Sequence, residues 1–307
     1  MTAVYLVISY RNPSQVLRLV SALREGPGAE VVVRHDQRTT QLARGDVEER
    51  GAHLLEDGIQ IEWGELSHVR VLLGALEWAL EHLNPDWLLV LSGQDYPLRP
   101  MADIEAGLAG SGKDAFLSSA WELPLDRRPE PPDDQFFLRY GYRHYRAPDW
   151  VPRAPGALRP VVYTREMPLA LGTRVGIRRV RLPFGPDLRC FVSADWLTVS
   201  ARAAWAITET ARGDRALMRY YRRVLIPSES LFATILLNHP DLEVSREGRR
   251  FLPFGRPGAP HPDVLTSADL DRLIGSGMDF ARKFDVEVDA EVLDALDDRR
   301  RSRTVPR

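Results

Sequence analysis

The sequence has 307 residues, 44% of them hydrophobic, with 41 basic and 43 acidic side chains. That is enough apolar material for one large or two modest domains, and it excludes a fibre or a disordered tail. A formal net charge of −2 and a pI near 6.4 argue against bulk binding to nucleic acid or to an anionic membrane. The single cysteine, Cys190, allows no internal disulfide, and no window approaches the roughly 20 apolar residues of a membrane-spanning helix. The chain opens directly on an apolar strand-like run without the regions of a signal peptide, so a cytoplasmic protein is the expectation.

The first third alternates strands and helices. Residues 4–9 form a short apolar run, and Pro13 opens a segment in which Val16, Leu19, Val20 and Leu23 recur on one helical face. Gly26-Pro27-Gly28 ends this helix, and residues 29–34 predict a second strand that runs into His35-Asp36-Gln37. A longer helix is predicted over 65–83, with Val69, Leu72, Leu73, Leu76 and Leu80 on one side and Asn84-Pro85 as its stop. Residues 87–91 are almost continuously apolar, as in a strand buried on both faces of a mainly parallel sheet. A βαβ alternation places a cleft at the carboxyl ends of the strands, so polar tips such as Asp36 and residues 92–98 stand where a site belongs.

Residues 123–160 are rich in proline, arginine and aromatics and read as a long functional loop region. Within it, Tyr140, Tyr142, His144 and Tyr145 either line a groove or pack the loop itself. A strand over 189–199 follows, then helices over 203–211, 216–224 and 228–237, the last with Ser228 at its N-cap and Glu229 in its first turn. A Gly/Pro-rich stretch at 255–262, helices over 267–274 and 289–296, and a frayed basic tail at 299–307 complete the chain. Neither a repeat nor a linker is visible, so residues 1–298 are read as a single domain.

Most standard catalytic motifs are missing. The chain has no phosphate loop ending in Gly-Lys-Ser/Thr, no Gly-x-Ser-x-Gly elbow and no His-Glu-x-x-His, and its seven histidines lack metal-ligand spacing. Three segments stand out instead. Leu91-Ser92-Gly93-Gln94-Asp95-Tyr96-Pro97-Leu98 resembles the "LSGxDyPL" motif of the core-2/I-branching glycosyltransferases, which include branching N-acetylglucosaminyltransferases and peptide O-xylosyltransferases. Pro227-Ser228-Glu229-Ser230-Leu231-Phe232-Ala233-Thr234 resembles the family's "PdEyxxxT", and Phe280-Ala281-Arg282-Lys283-Phe284-Asp285 its "FARKFd". Trp63-Gly64 with Ser67, and the segment from Val33 to Arg38 with Asp36 at the family's Asp position, extend the likeness over nearly the whole chain. The departures are Arg34 where the family often has His and Ser228 where it usually has Asp.

The resemblance implies a GT-A-type, Rossmann-like α/β fold with a mainly parallel central sheet flanked by helices. It also implies inverting transfer of a sugar, of the N-acetylglucosamine or xylose class, from a UDP-sugar to an acceptor hydroxyl, with no metal and no further cofactor. By this carry-over Glu229 is the catalytic base, Asp36 binds the uridine and Lys283 binds the diphosphate. Arg256 or His261 supplies a second cation, while Asp95 and Trp196 touch the donor sugar or the acceptor. The residues bear on two of these points independently. Where a metal-dependent enzyme of this fold places Asp-x-Asp, the chain has Gly93-Gln94-Asp95 with one carboxylate, and its only Asp-x-Asp, Asp269-Leu270-Asp271, falls at a predicted helix start where acids suit the dipole. Lys283 is also one of only two lysines in an arginine-rich chain, the other being Lys113.

Each assignment has a plainer alternative: a helix-start acid for Glu229, a turn for Asp36, a surface lysine for Lys283, solvated loop residues for Arg256 and His261, and core for Trp196. The alternative for the whole chain is a nucleotide-sugar or glycan-binding protein of the same fold without turnover. Glycan or small-molecule acceptors, rather than nucleic acid, are the expected partners beside the UDP-sugar.

Overall fold

Strand β1 (Ala3–Ser9) is buried along its whole length and feeds two cores. Val4, Leu6 and Ile8 enter one, while Ala3, Tyr5 and Val7 enter the other on the opposite face, because successive strand side chains point to opposite sides. The computed structural model describes residues 1–125, 135–155, 158, 161–167, 172–255 and 261–304. After β1 come helix α1 (Pro13–Leu23), strand β2 (Ala29–His35), helix α2 (Arg44–Glu48), strand β3 (His53–Leu54), helix α3 (Leu66–His82) and strand β4 (Trp87–Ser92). The strands β3, β2, β1 and β4 lie side by side in that order, all parallel, as the βαβ alternation predicts.

Strand β5 (Tyr96–Pro97), helix α4 (Met101–Ala109), strand β6 (Ala115–Phe116) and strand β7 (Trp121–Glu122) follow. Helix α5 (Gln135–Gly141) leads into β8 (Tyr142–Arg146), which joins β9 (Val162–Met167) and β10 (Gly172–Arg178) in an antiparallel sheet of order β8-β10-β9. Then come β11 (Phe191–Val192), β12 (Thr198–Ser200), helices α6 (Ala201–Gly213), α7 (Arg215–Tyr221) and α8 (Ser228–Asn238), and strands β13 (Val244–Ser245) and β14 (Arg250–Phe251). Helix α9 (Leu270–Gly275), strand β15 (Phe280–Ala281) and helix α10 (Glu291–Thr304) end the described chain. Antiparallel β12, then β6 and β13, extend the parallel strands into a seven-stranded mixed sheet.

The two faces of this sheet are covered by different helices. Val69 and Leu72 of α3, Ile207 of α6 and Leu231 and Phe232 of α8 pack on one face; Val16 and Leu19 of α1, Ile104 and Leu108 of α4 and Leu293 and Leu296 of α10 pack on the other. Each fully buried side chain of this size contributes about 1.5–3 kcal/mol. Among the described residues no helix is long and apolar enough to cross a membrane.

Several local expectations change. The 123–160 region is not simply loop: α5 and β8 form there, held by edge-on aromatic contacts of Tyr142 with Phe137 and Tyr163. Tyr140, Tyr142 and His144 are buried in this packing, and only Tyr145 of that run is exposed. The predicted strand over 189–199 splits, because β11 pairs with β7 in a sheet of its own whereas β12 enters the central sheet. Ser228 is the first helical residue of α8 and not its cap; the cap position falls on Pro227, with no side-chain hydrogen bond. The basic tail is helical through Thr304, and Arg300 within it is fully buried, paired with Asp297 at 2.6 Å and stacked over Tyr96.

Candidate functional site

The parallel strands end together. The Asp36 N–H donates to Ser9 O at 2.8 Å and the Gly93 N–H to Ile8 O at 3.0 Å, which ties the tips of β2 and β4 to that of β1. Glycine is required at position 93: a Cβ there would stand 2.8 Å from Ser9 Cβ and 3.0 Å from Val16 Cγ2. The C-terminal segment is laid across these tips. The Phe284 N–H donates to Gln94 O at 2.9 Å, Gln15 Nε2 donates to both Gly93 O and Phe284 O at 3.1 Å, and Arg11 and Asn12 hold Asp285 at 2.8 and 3.0 Å.

Lys283 is thereby delivered to the strand ends. Its ammonium makes no ion pair or hydrogen bond among the described residues, and the side chain is half-buried. Burial, then Arg11 and Arg282, depress its proton affinity against the pull of Asp285. The exposed His261 is lowered by partial desolvation and then by Lys283 and Arg282, so it is held towards its neutral form beside those two cations. Arg256 lies outside the described residues. Asp36 is buried and engaged by Arg38, whose Nη2 lies 2.5 Å from Oδ2 and whose Nε lies 2.9 Å from Oδ1. That hydrogen-bonded guanidinium holds the Asp36 carboxyl below the usual carboxylate range.

A second layer sits under the cations. The small sheet β14-β15-β5 pairs Ala281 with Tyr96 and Phe280 with Arg250, which brings two arginines to the residue before Tyr96. Asp95 has no exposed surface and lies 3.3 Å from Arg250 Nε and 3.4 Å from Arg282 Nε. Its carboxylate faces these cations and not an open surface. Arg250 is itself buried, donates to Val90 O at 2.6 Å, and is brought down to about 10 by burial in spite of Asp95. Arg282 rests 4.3 Å over the ring of Trp196, which is part-buried against the core.

From Trp196 the cluster continues to Glu229. The neighbouring Asp195 has one buried oxygen, Oδ1, without a hydrogen bond, and it acts on both His68 and Glu229. Burial holds His68 towards its neutral form, Asp195 opposes this and Arg282 adds to it. The Glu229 carboxylate is bound by Arg139 Nη1 at 2.7 Å, and its backbone oxygen accepts from the Ser193 N–H at 2.8 Å. Burial, reinforced by Asp195, pushes Glu229 up to about 7 against the opposing pull of Arg139. The helix start alone would have lowered it; desolvation wins.

The approach to Glu229 is strained. Ile226 has φ of 51°, a left-handed conformation that is costly for a β-branched residue, by about 1–3 kcal/mol. It is clamped from both sides, its N–H donating to Gly64 O at 2.8 Å and its carbonyl accepting from the Tyr140 hydroxyl at 3.0 Å. The other polar residues of this segment are structural: the Tyr221 hydroxyl meets Ser230 Oγ at 2.8 Å and donates to Thr234 Oγ1 at 3.1 Å, and Thr234 Oγ1 accepts from the Phe191 N–H.

Asp269 serves its helix. It closes a capping box with Thr266 and pairs with Arg272 at 2.8 Å. Among the described residues no group of three or more His, Cys, Asp or Glu side chains is placed to hold a metal. Sequence reading missed Arg11, Arg139, Asp195, Arg250 and Arg282. Of these only Arg282 stands inside a motif, and Asp195 is marked only as the neighbour of Trp196; the others reach the site through long-range packing.

No protein-family model matches the chain. Over 216 residues, 69% of its length, the chain is 25% identical to the beta-glucuronosyltransferase GlcAT14A of Arabidopsis thaliana, of which the match spans 42%. Among solved structures it is similar to a candidate glucose-1-phosphate thymidylyltransferase of Bacillus anthracis in complex with sucrose, at 8% identity and a TM-score of 0.31 over 71% of this chain and 81% of that one. It is also similar to HddC from Yersinia pseudotuberculosis, at 10% identity and a TM-score of 0.30 over 66% of this chain and 79% of that one. The sequence similarity is therefore to a glycosyltransferase, and the α/β sheet described above is of the Rossmann-like kind.

Proposed function

We propose that the protein is a GT-A-type glycosyltransferase of the core-2/I-branching kind, which moves a sugar from a UDP-sugar to an acceptor hydroxyl with inversion and without a metal. The observation that carries the reading is a cluster that runs from an uncommitted Lys283, with Arg11 and Arg282 beside it, through Trp196 under Arg282 and the adjacent Asp195 to a glutamate raised to about 7. Similarity to a glucuronosyltransferase supports the reaction class.

In this reading Glu229 accepts the proton of the acceptor hydroxyl as that oxygen bonds to the anomeric carbon. The bond from that carbon to the β-phosphate oxygen breaks on the opposite face, and its electron pair leaves with UDP. A carboxylate that titrates near neutrality suits such a proton transfer. The diphosphate gains charge as the bond breaks, and Lys283 with Arg11 and Arg282 beside it offers fixed positive charge to meet it. Asp95, shared with Arg250, holds Arg282 in place from below, and in the same reading Asp36, held by Arg38 at the tip of β2, meets the uridine. The donor sugar is of the N-acetylglucosamine, xylose or glucuronic acid class, the last added by the relative's name.

Thermal-shift screening against nucleotide sugars, followed by UDP release with a panel of acceptors, tests the reading. Stabilisation by a UDP-sugar together with acceptor-dependent UDP release is expected. UDP affinity measured by calorimetry should be the same in EDTA as in Mn²⁺; a large loss on chelation would overturn the metal-free reading. Stable binding without transfer, after a broad acceptor screen, would leave a binding protein of the same fold.

A further inference from the structure

Beside the strand tips, and sharing no wall with Asp36, Asp95 or Lys283, lies a cavity of about 460 Å³ formed by the start of α3, strands β8 and β10 and the chain leaving α7. That volume is within the roughly 300–1,000 Å³ of small-molecule sites. Five arginines line it, Arg70, Arg146, Arg174, Arg222 and Arg223, against the two acids Glu62 and Glu65. The chain as a whole is slightly acidic, so this is a local concentration of charge.

The acids are already used. Glu65 is bound by Arg174 at 2.5 Å and by Arg146 at 3.5 Å, and Glu62 by Arg146. Among the described residues Arg70 and Arg222 make no ion pair, and Arg223 lies 4.8 Å over the Tyr145 ring, which leaves its charge unneutralised. His144 in the wall adds nothing at neutral pH, because burial brings it down to about 4. Three guanidiniums therefore face a cavity whose remaining lining is amphipathic, with Leu66 and Val224 beside Gln60 and Ser67. Guanidinium forks match the paired oxygens of a carboxylate or sulfate, and a mixed apolar and polar wall matches a sugar ring.

The cavity also leads to Glu229. Its wall residue Leu225 donates its N–H to Arg139 O at 3.3 Å, Arg139 holds the Glu229 carboxylate, and the chain runs from Leu225 through the clamped Ile226 into α8. We infer that this cavity is the acceptor subsite for a saccharide carrying an anionic substituent, a carboxylate or a sulfate ester. Its role as an acceptor subsite rests on the transferase reading; the binding itself does not.

Calorimetry with three trisaccharides of one backbone, bearing free carboxylates, their neutral methyl esters, or sulfates, tests this on the full chain with UDP present and absent. The carboxylated or the sulfated trisaccharide should bind whether or not UDP is saturating, and the methyl ester at least about 10-fold more weakly. The double variant Arg70→Gln/Arg222→Gln should lose about 10-fold in that affinity, as expected for two partly screened contacts, with UDP affinity unchanged. Both side chains are exposed, so the variant keeps the fold. Equal binding of the methyl ester, full affinity in the double variant, or displacement of the saccharide by UDP would each overturn the proposal. A lack of sugar transfer with intact saccharide binding would strike the transferase reading alone.

Discussion

Asp95 and Glu229 are carboxylates in one cluster, and their surroundings give them different work. Asp95, just past the tip of β4, is shut from solvent between the guanidiniums of Arg250 and Arg282. Glu229, at the start of α8, keeps 26% of its side chain exposed, has the single guanidinium of Arg139, and shares its neighbourhood with a second acid, Asp195. Two fixed cations and no access to water suit a permanent counter-ion. One cation, a like charge and a route to solvent suit a group that takes up and gives back a proton. The number and placement of charged neighbours separate the two roles, since the functional group is common to both.

The comparison is broken most sharply at Glu229. Glu229→Gln keeps size and much of the contact with Arg139 but removes the proton acceptor, and a fall of about 10²–10⁴ in transfer rate is expected, with UDP affinity within a few-fold of the parent. Rate measured by UDP release and affinity by calorimetry should separate; near-parental turnover would leave Glu229 as a helix-start acid. Asp95→Asn should act in the opposite way, on the fold before the chemistry. It strands the buried Arg250 without its counter-charge, and breaking such a pair costs about 3–5 kcal/mol, to be read from denaturant unfolding. An Asn variant as stable as the parent would refute the counter-ion role.

Smaller effects sharpen the picture. Lys283→Ala should weaken UDP binding by roughly 10- to 150-fold, corresponding to about 1.5–3 kcal/mol, and Lys283→Arg should restore only part of it. Asp269→Ala, which removes a helix cap, should leave UDP affinity untouched; the reverse pattern would move the phosphate site away from the C-terminal segment. The mildest test is a pH profile. The acid limb of kcat/KM should lie near pH 7, because Glu229 must be ionised to act and is raised to about 7. Asp195→Asn removes a like charge and should move that limb to lower pH; Arg139→Gln removes the stabilising cation and should move it higher. A limb that stays fixed in both variants would assign it to another group.

The parallel half of the fold is written plainly in the sequence. The helical spacing of Val16, Leu19, Val20 and Leu23 and the unbroken apolar run before Ser92 specify α1 and β4, since both depend on neighbours along the chain. The region around Tyr140 is illegible for the opposite reason: its helix and strands are short, and their aromatic residues find partners in Tyr163 and Ile226, far away in sequence. The site divides along the same line. Glu229 and Lys283 stand inside recognisable segments, and the structure puts both at one end of the sheet's strands and the helices beside them. Arg250 and Arg139 carry no local mark and are identified by what they touch: Asp95 in one case, Glu229 in the other.

The stitching of the C-terminal segment onto the first helix and the residues just before it has a consequence for how the molecule comes into being. Arg11, Gln15 and Arg18 each clasp residues about 270 positions later, Asp285, Phe284 and Asp297. Strands β1 to β4 can pair with one another once residue 92 has emerged from the ribosome, and β4 gains its other neighbour with β12, but the cationic end stays unassembled until Lys283 and the helix behind it have been synthesised. A nascent chain can thus have much of its sheet in place while the cationic end is still missing, and any ligand of that end can be held only after Lys283 has been translated.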